Sequence, residues 1–175
     1  RVDDVAIFCE GDTTRQEVVN ALQKATGNSL EIPNLYELRE SGFRVVVVQD
    51  INELDTEDCD ILLNVGIGTF LKRKVRKAAR FGILNCHPGK LPEYRGLKPI
   101  DRALEAGDEL YATVHFMVRK MDAGPIVKSC RLEHAGLSYP QLRKRMLELQ
   151  TKVMVDGAIE VLQSGKDMSE YTKQP

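Results

Sequence analysis

Short apolar runs bounded by turn residues alternate with amphipathic stretches along the chain, and this alternation narrows the fold more than any other feature. Residues 45–48 are four consecutive valines, a run with no polar face, as in strands covered on both sides by helices. Residues 5–9 form a similar run that stops at Glu10, Gly11 and Asp12. Residues 61–65, ended by Gly66 and Gly68, and residues 82–86 add two more. Between them lie helical patterns: Val18, Val19, Leu22 and Ala25 up to Gly27, residues 34–40 up to Ser41 and Gly42, and residues 69–80. Strand, helix, strand at these lengths predicts an α/β domain with a mostly parallel, twisted sheet covered by helices on both faces and joined by right-handed crossovers.

The second half continues the theme. A helix is expected over 99–106, strands over 112–117 and 126–132, and a long helix capped by Ser138 with Leu142, Met146, Leu149, Val153, Ala158 and Leu162 inward. From Ser164 the tail is polar and expected to fray. No linker or repeat divides the 175 residues, so they read as one domain. Between Gly27 and Val45 there is one helix and only a weak strand at 29–32. That shortness reads as a trimmed domain, or as a stretch missing between about 27 and 35.

Charge and composition exclude several classes. With 25 Lys and Arg against 26 Asp and Glu, the formal net charge of -1 opposes a broad nucleic-acid-binding field. The basic stretch 71–80 places Leu71, Val75 and Ala78 at i, i+4 and i+7, so its charges fall on a solvated helix face rather than a tRNA contact. No apolar run approaches the roughly 20 residues that span a bilayer, and residues 1–4 lack a signal-peptide layout. The cysteines at 9, 59, 86 and 130 have neither disulfide nor zinc spacing, so free thiols, a cytoplasmic protein and no metal are expected.

Residues 84–99 carry the chemistry. An apolar strand there runs into Asn85, Cys86 and His87 and then a loop rich in Pro and Gly. Ligands of open α/β sheets bind at the carboxyl ends of strands, and alternation puts Asn85 and His87 on one side with Cys86 on the other. His87 is a candidate general acid or base, and Asn85 a neutral donor for an oxyanion. Asp122, in a loop tightened by Gly124 and Pro125, is the candidate carboxylate to orient the imidazole. Taken singly these residues read as a strand-end cap, a loop histidine and a turn aspartate.

Together they resemble something more specific. The strings Asn85-Cys86-His87, Leu91-Pro92, Tyr94-Arg95-Gly96, Thr113-Val114-His115 and residues 121–126 occur in the order and spacing of the 10-formyltetrahydrofolate-dependent formyltransferases. The resemblance covers about residues 60–163 and implies a Rossmann-like domain and an Asn, His, Asp catalytic set. It implies that an amine attacks the formyl group of 10-formyltetrahydrofolate, with Asn85 and protonated His87 stabilising the oxyanion and Asp122 assisting proton transfer. By the same comparison the folate lies between Thr69, Phe70 and Leu71 on one side and Val118 to Met121 on the other, with Leu91 in the covering loop. Gly11, Arg95 and His115 are then the substrate-side candidates. Arg95 would meet an anionic group or pair with Glu93, and His115 would touch substrate, back Asp122 or sit satisfied in the core.

Departures from the family pattern bear on the acceptor. Gly89 and Lys90 stand where Ser and Leu are usual, Tyr111 stands where Gly is common, and residues 66–69 differ from the bulkier family sequence. Glu10 and Asp12 would repel the phosphate of a ribonucleotide. The reading that follows is a formyltransferase for a small-molecule amine, such as an amino sugar on a nucleotide, in a chain compatible with a homodimer. Two alternatives stay open: a formyltetrahydrofolate deformylase, with water as acceptor, and a non-catalytic binding domain. Methionyl-tRNA formyltransferase fits least, because its additional C-terminal domain has no residues here.

Overall fold

A computed structural model of the chain describes residues 6–10, 20–21, 23–27, 35–41, 44–54, 59–64 and 71–175. Most of the first expected helix, the weak strand at 29–32, the loop 66–69 and the candidates Gly11, Thr69 and Phe70 lie outside the described residues.

Strands β1 (Ala6–Glu10) and β2 (Arg44–Val48) pair in parallel, with Ile7 opposite Val45 and Glu10 opposite Val48. Helix α1 (Leu35–Glu40) precedes β2. Four further strands form a sheet in the order β3 (Leu62–Asn64), β4 (Ile83–His87), β5 (Leu110–Phe116) and β6 (Ile126–Leu132). β3 and β4 are parallel, whereas β4–β5 and β5–β6 are antiparallel. The Rossmann-like α/β class therefore holds, with its parallel pairs in the first half and antiparallel pairs in the second. Strand periodicity encodes which face is buried, not which way a neighbour runs.

β5 was expected to alternate between apolar and polar faces but is buried on both. Leu110, Ala112, Val114 and Phe116 fill the main core, while Thr113 and His115 on the other side are equally inaccessible. Those two polar residues are tolerated because each is hydrogen-bonded: the Thr113 hydroxyl donates to the Gly89 carbonyl at 2.8 Å, and His115 Nδ1 donates to the Phe116 carbonyl at 3.0 Å.

Two shorter helices frame the site. α2 (Arg73–Arg76) is much briefer than the stretch 69–80 expected from sequence. Leu71 and Val75 are buried as the spacing requires, but Ala79 rather than the expected Ala78 completes the inward side because the helix is short, and Lys72, Arg73, Lys74 and Lys77 are exposed. The Asn52 side-chain oxygen accepts from the Lys72 amide at 2.6 Å and holds the start of α2 against a 3₁₀ turn, Ile51–Glu53. α3 (Pro99–Ala106) opens on a proline, which lacks the amide that a first helical turn would leave unpaired.

The long helix α4 (Tyr139–Ser164) packs across β4, β5 and β6. The Gln141 side chain reaches back to the Ser138 amide at 2.9 Å, closing its first turn. Leu142, Met146, Val153 and Ala158 are buried as the periodicity requires, with Leu149 and Leu162 half-buried beside them. Gly157 lets the helix approach Val114, whose Cγ1 would stand 3.0 Å from an added Cβ. Among the described residues no helix is long and apolar enough to cross a membrane.

The tail does not fray. Tyr171 returns to the sheet with its ring 5.1 Å from Phe116, and Gln174 reaches the loop that carries Asp122. An aromatic pair and a bidentate amide outweigh the polar composition that suggested a loose end.

Leu84, fully buried in β4 under α4, sets the scale of core packing. Leu84→Ala is expected to cost about 2–5 kcal/mol in urea unfolding, from lost transfer energy and the cavity left behind. A loss below about 1 kcal/mol would mean that α4 collapses onto the gap.

Candidate active site

The site forms where β4 ends. Asn85 lies opposite Asn64 on the parallel neighbour β3 and opposite His115 on the antiparallel neighbour β5. Its side chain uses both: Asn64 Nδ2 donates to Asn85 Oδ1 at 3.0 Å, and Asn85 Nδ2 donates to His115 Nε2 at 3.2 Å. His87, two residues on and 6% exposed, stands beside Asp122, with Nδ1 to Oδ2 at 3.5 Å. The other oxygen of Asp122 is 3.5 Å from His115 Nε2. The three catalytic candidates thus converge, with His115 between them.

Asp122 is held with some backbone cost. Its φ is 51°, in the left-handed region that Asp tolerates better than most residues. The Gly96 amide donates to Asp122 Oδ2 at 2.9 Å. Its carbonyl accepts from Arg95 Nε at 3.3 Å and from Gln174 Nε2 at 3.1 Å, and Gln174 Nε2 also donates to the Gly124 carbonyl at 2.6 Å. The loop is therefore held by two segments of the chain, residues 95–96 and Gln174, and the carboxylate itself is aimed by the Gly96 amide.

The histidine loop is equally confined. His87 Nε2 donates to the Tyr94 carbonyl at 2.7 Å, which places the proton of the neutral ring on Nε2 and leaves Nδ1 facing Asp122. Gln150 of α4 donates to the Cys86 carbonyl at 2.7 Å, between the two catalytic candidates. Arg102 of α3 binds the carbonyl of Arg95 at 2.8 Å, and Tyr94 donates its hydroxyl to Asp108. Gly89 has a local reason: a Cβ there would stand 2.7 Å from Pro99 Cβ and 3.0 Å from His87 Nε2. The position that usually carries Ser has no room for it.

Burial sets the electrostatics of His87, pushing its pKa below the ordinary histidine value, while the Asp122 carboxylate pulls the other way. Burial pushes Asp122 up, but its contact with His115, the neighbouring His87 ring and the Gly96 amide outweigh that and hold it below the usual carboxylate range. Burial also raises the Cys86 thiol to about 12, so it stays a protonated packing residue.

Both depressed values make stability fall with acid. A buried neutral histidine contributes stability above the unfolded value of 6.5, and this is lost as pH drops through the lower folded value. Asp122 contributes above 3.8 and loses it further down. The melting temperature is expected to decline from pH 7 toward pH 5, and His87→Gln to flatten that decline. Parallel curves for the two proteins would contradict the assignment to His87.

The remaining candidates are placed as follows. Leu71 and Leu91 are buried, Val118 is half-buried and Met121 is 64% exposed. His115 is 2% exposed with both ring nitrogens engaged. Arg95 points at Gln174 Oε1, with contacts at 3.1 and 2.7 Å, and at the Pro175 carbonyl at 3.0 Å, while Glu93 faces Lys90 instead. Lys90 lies over the Tyr111 ring at 5.9 Å, so two departures from the family pattern touch each other. Asn64, Gln150 and Gln174 were not anticipated. The signal for Asn64 was a Leu-Asn pair in each of two successive apolar runs, Leu63-Asn64 and Leu84-Asn85.

The profile of the formyl transferase family matches residues 5–158. The chain belongs to the formyl transferase family. Among relatives, the methionyl-tRNA formyltransferase of Thermotoga neapolitana is 35% identical over 135 residues, covering 73% of this chain and 43% of that protein. The first relatives are matched over less than half of their own length. Solved structures agree on the fold. Phosphoribosylglycinamide formyltransferase from Anaplasma phagocytophilum superposes with a TM-score of 0.66 at 23% identity, over 92% of this chain and 87% of that one. The formyltransferase PseJ from Anoxybacillus kamchatkensis, solved with a sugar nucleotide and tetrahydrofolate, gives 0.60 at 13% identity, over 99% of this chain and 82% of that one. The formyl transferase fold accounts for the antiparallel half of the sheet, which brings His115 of β5 under Asn85.

Proposed function

We propose that the chain transfers a formyl group from 10-formyltetrahydrofolate to a primary amine, and the observation that carries this is the convergence of Asn85, His87 and Asp122 around His115. Family membership supports the donor. Exposed Leu97 and Met121 beside Asp122 would give a pterin apolar area, and the loop 117–121 would offer it backbone polar groups. The folate would supply a formyl group already activated on nitrogen.

The chain's own residues do the rest. Asn85 Nδ2 has two protons; one goes to His115, and the second is available to the formyl oxygen as it gains charge. His87 Nδ1 takes the proton that the amine loses on attack, and the resulting imidazolium is held by Asp122 Oδ2. The proton then passes to the departing nitrogen. A lowered histidine pKa suits this role, because the ring starts as a neutral base at pH 7.

The acceptor is an amine whose carrier is open between two chemistries. The relatives at 31–40% identity are named methionyl-tRNA formyltransferases, so their names support an aminoacyl-tRNA rather than the amino sugar expected from sequence. Formyl transfer from 10-formyltetrahydrofolate should be assayed with methionyl-tRNA and with amino-sugar nucleotides, with a no-amine arm that detects released formate. N-formylated product that disappears in His87→Ala supports the proposal. Formate without any amine would assign water as acceptor, and absence of folate binding in calorimetry would refute the reading.

A further inference from the structure

We infer that Asn64 is a positioning residue that fixes the rotamer of the Asn85 amide, so that its NH₂ rather than its carbonyl faces the reacting oxygen. This rests on the proposed role of Asn85 as oxyanion donor.

The argument starts from a backbone carbonyl, which can only accept. Phe116 O takes the proton of His115 Nδ1 at 3.0 Å, so in the neutral ring Nε2 has a lone pair and needs a donor. Two groups approach it: Asp122 Oδ1 at 3.5 Å, which can only accept, and the Asn85 side chain at 3.2 Å, which must therefore turn its NH₂ toward β5. Its oxygen then faces β3, where Asn64 Nδ2 supplies the matching proton at 3.0 Å. Donor polarity thus runs across three strands, from Asn64 through Asn85 and His115 to the Phe116 carbonyl.

Only one member of this relay would touch the formyl oxygen. Asn64 sits beside Asn85 on the neighbouring strand, where the register Asn64 opposite Asn85 keeps the two amides side by side. An amide has two orientations of nearly equal shape, and a flipped Asn85 would present its carbonyl to a developing negative charge. Asn64 penalises the flip, since turning Asn85 would set NH₂ against NH₂ on one side and carbonyl against a lone pair on the other.

The polarity can be reversed by one atom. Asn64→Asp replaces the donor with a carboxylate, which accepts only and draws the Asn85 NH₂ toward β3. Asn64→Ala removes the constraint without reversing it. In transfer from 10-formyltetrahydrofolate to methionyl-tRNA, kcat is expected to fall about tenfold in Asn64→Ala and on the order of a hundredfold or more in Asn64→Asp, approaching the loss in Asn85→Ala. KM for the folate should change less than kcat, because Asn64 acts on the Asn85 amide, whose contact is with the oxygen that gains charge in the reaction. In ¹⁵N-labelled protein the Asn85 side-chain amide resonances should move in Asn64→Asp, and this readout needs no turnover. Unchanged Asn85 amide resonances in both Asn64 variants would overturn the proposal, as would wild-type kcat in both while Asn85→Ala is impaired. If Asn85→Ala itself keeps full activity, the oxyanion role of Asn85 fails, and the positioning role fails with it. Calorimetric folate binding by each variant shows that it is folded.

Discussion

Asp122→Asn is expected to lower kcat for formyl transfer by about two to four orders of magnitude, the range in which a positioned proton-transfer partner contributes, while folate affinity stays near normal. Asparagine is close to isosteric and is among the residues that best tolerate the left-handed backbone at φ 51°. Its carbonyl oxygen can still accept from the Gly96 amide, which donates to Oδ2 at 2.9 Å in the native chain. The charge is what disappears. His87 Nδ1 stands 3.5 Å from Oδ2, and an imidazolium formed there would lose its counter-ion in a site buried enough to depress the histidine pKa already. Should the new NH₂ take that position, it would donate to Nδ1 and block the lone pair that the reaction uses. Both routes reduce kcat more than KM. Steady-state kinetics with calorimetric folate binding would check it, and a kcat within about threefold of wild type would exclude Asp122 from proton transfer.

What the sequence disclosed about this site follows from which interactions are local. Asn85 and His87 were legible because a strand of period two puts them on one side at the carboxyl end of β4, where ligands of such sheets bind. Asp122 was legible as a turn residue before Gly124 that could aim a carboxylate at His87, and its part in proton transfer came through resemblance. The groups that hold it were not: Gln174 is 52 residues away in sequence, and nothing in a polar tail signals a hydrogen bond to a loop carbonyl. Arg95, read as an anion receptor, is turned toward that same glutamine. The antiparallel half of the sheet was also hidden, because burial patterns are identical for either strand direction. His115 illustrates a further limit. A histidine on a fully buried strand has several readings until its partners are known, and those partners lie on two neighbouring segments.

Gly124→Ala is expected to be among the most destructive single-methyl additions in the chain. A Cβ at that position would stand 1.7 Å from the Phe116 carbonyl oxygen and 2.8 Å from its carbon. Neither can rotate aside, because the same carbonyl accepts from His115 Nδ1 and the Phe116 amide donates to the Pro125 carbonyl at 2.9 Å. Relief must come from moving the loop away from β5, which disturbs its hydrogen bonds to Gln174, and Asp122 two residues earlier would move with it. The expected cost is about 3 kcal/mol or more, at the upper end of what an overpacked site loses when the backbone must shift, together with loss of formyl transfer. Gly136→Ala provides the contrast. Its φ of 77° makes any side chain strained, but nothing lies within 4 Å of the added carbon, so it should lose only about 1–2 kcal/mol. Urea unfolding of the two variants separates steric overlap from backbone strain. If Gly124→Ala proves as mild as Gly136→Ala and keeps its turnover, the loop is not pinned against β5 and Asp122 owes its aim to the Gly96 amide instead.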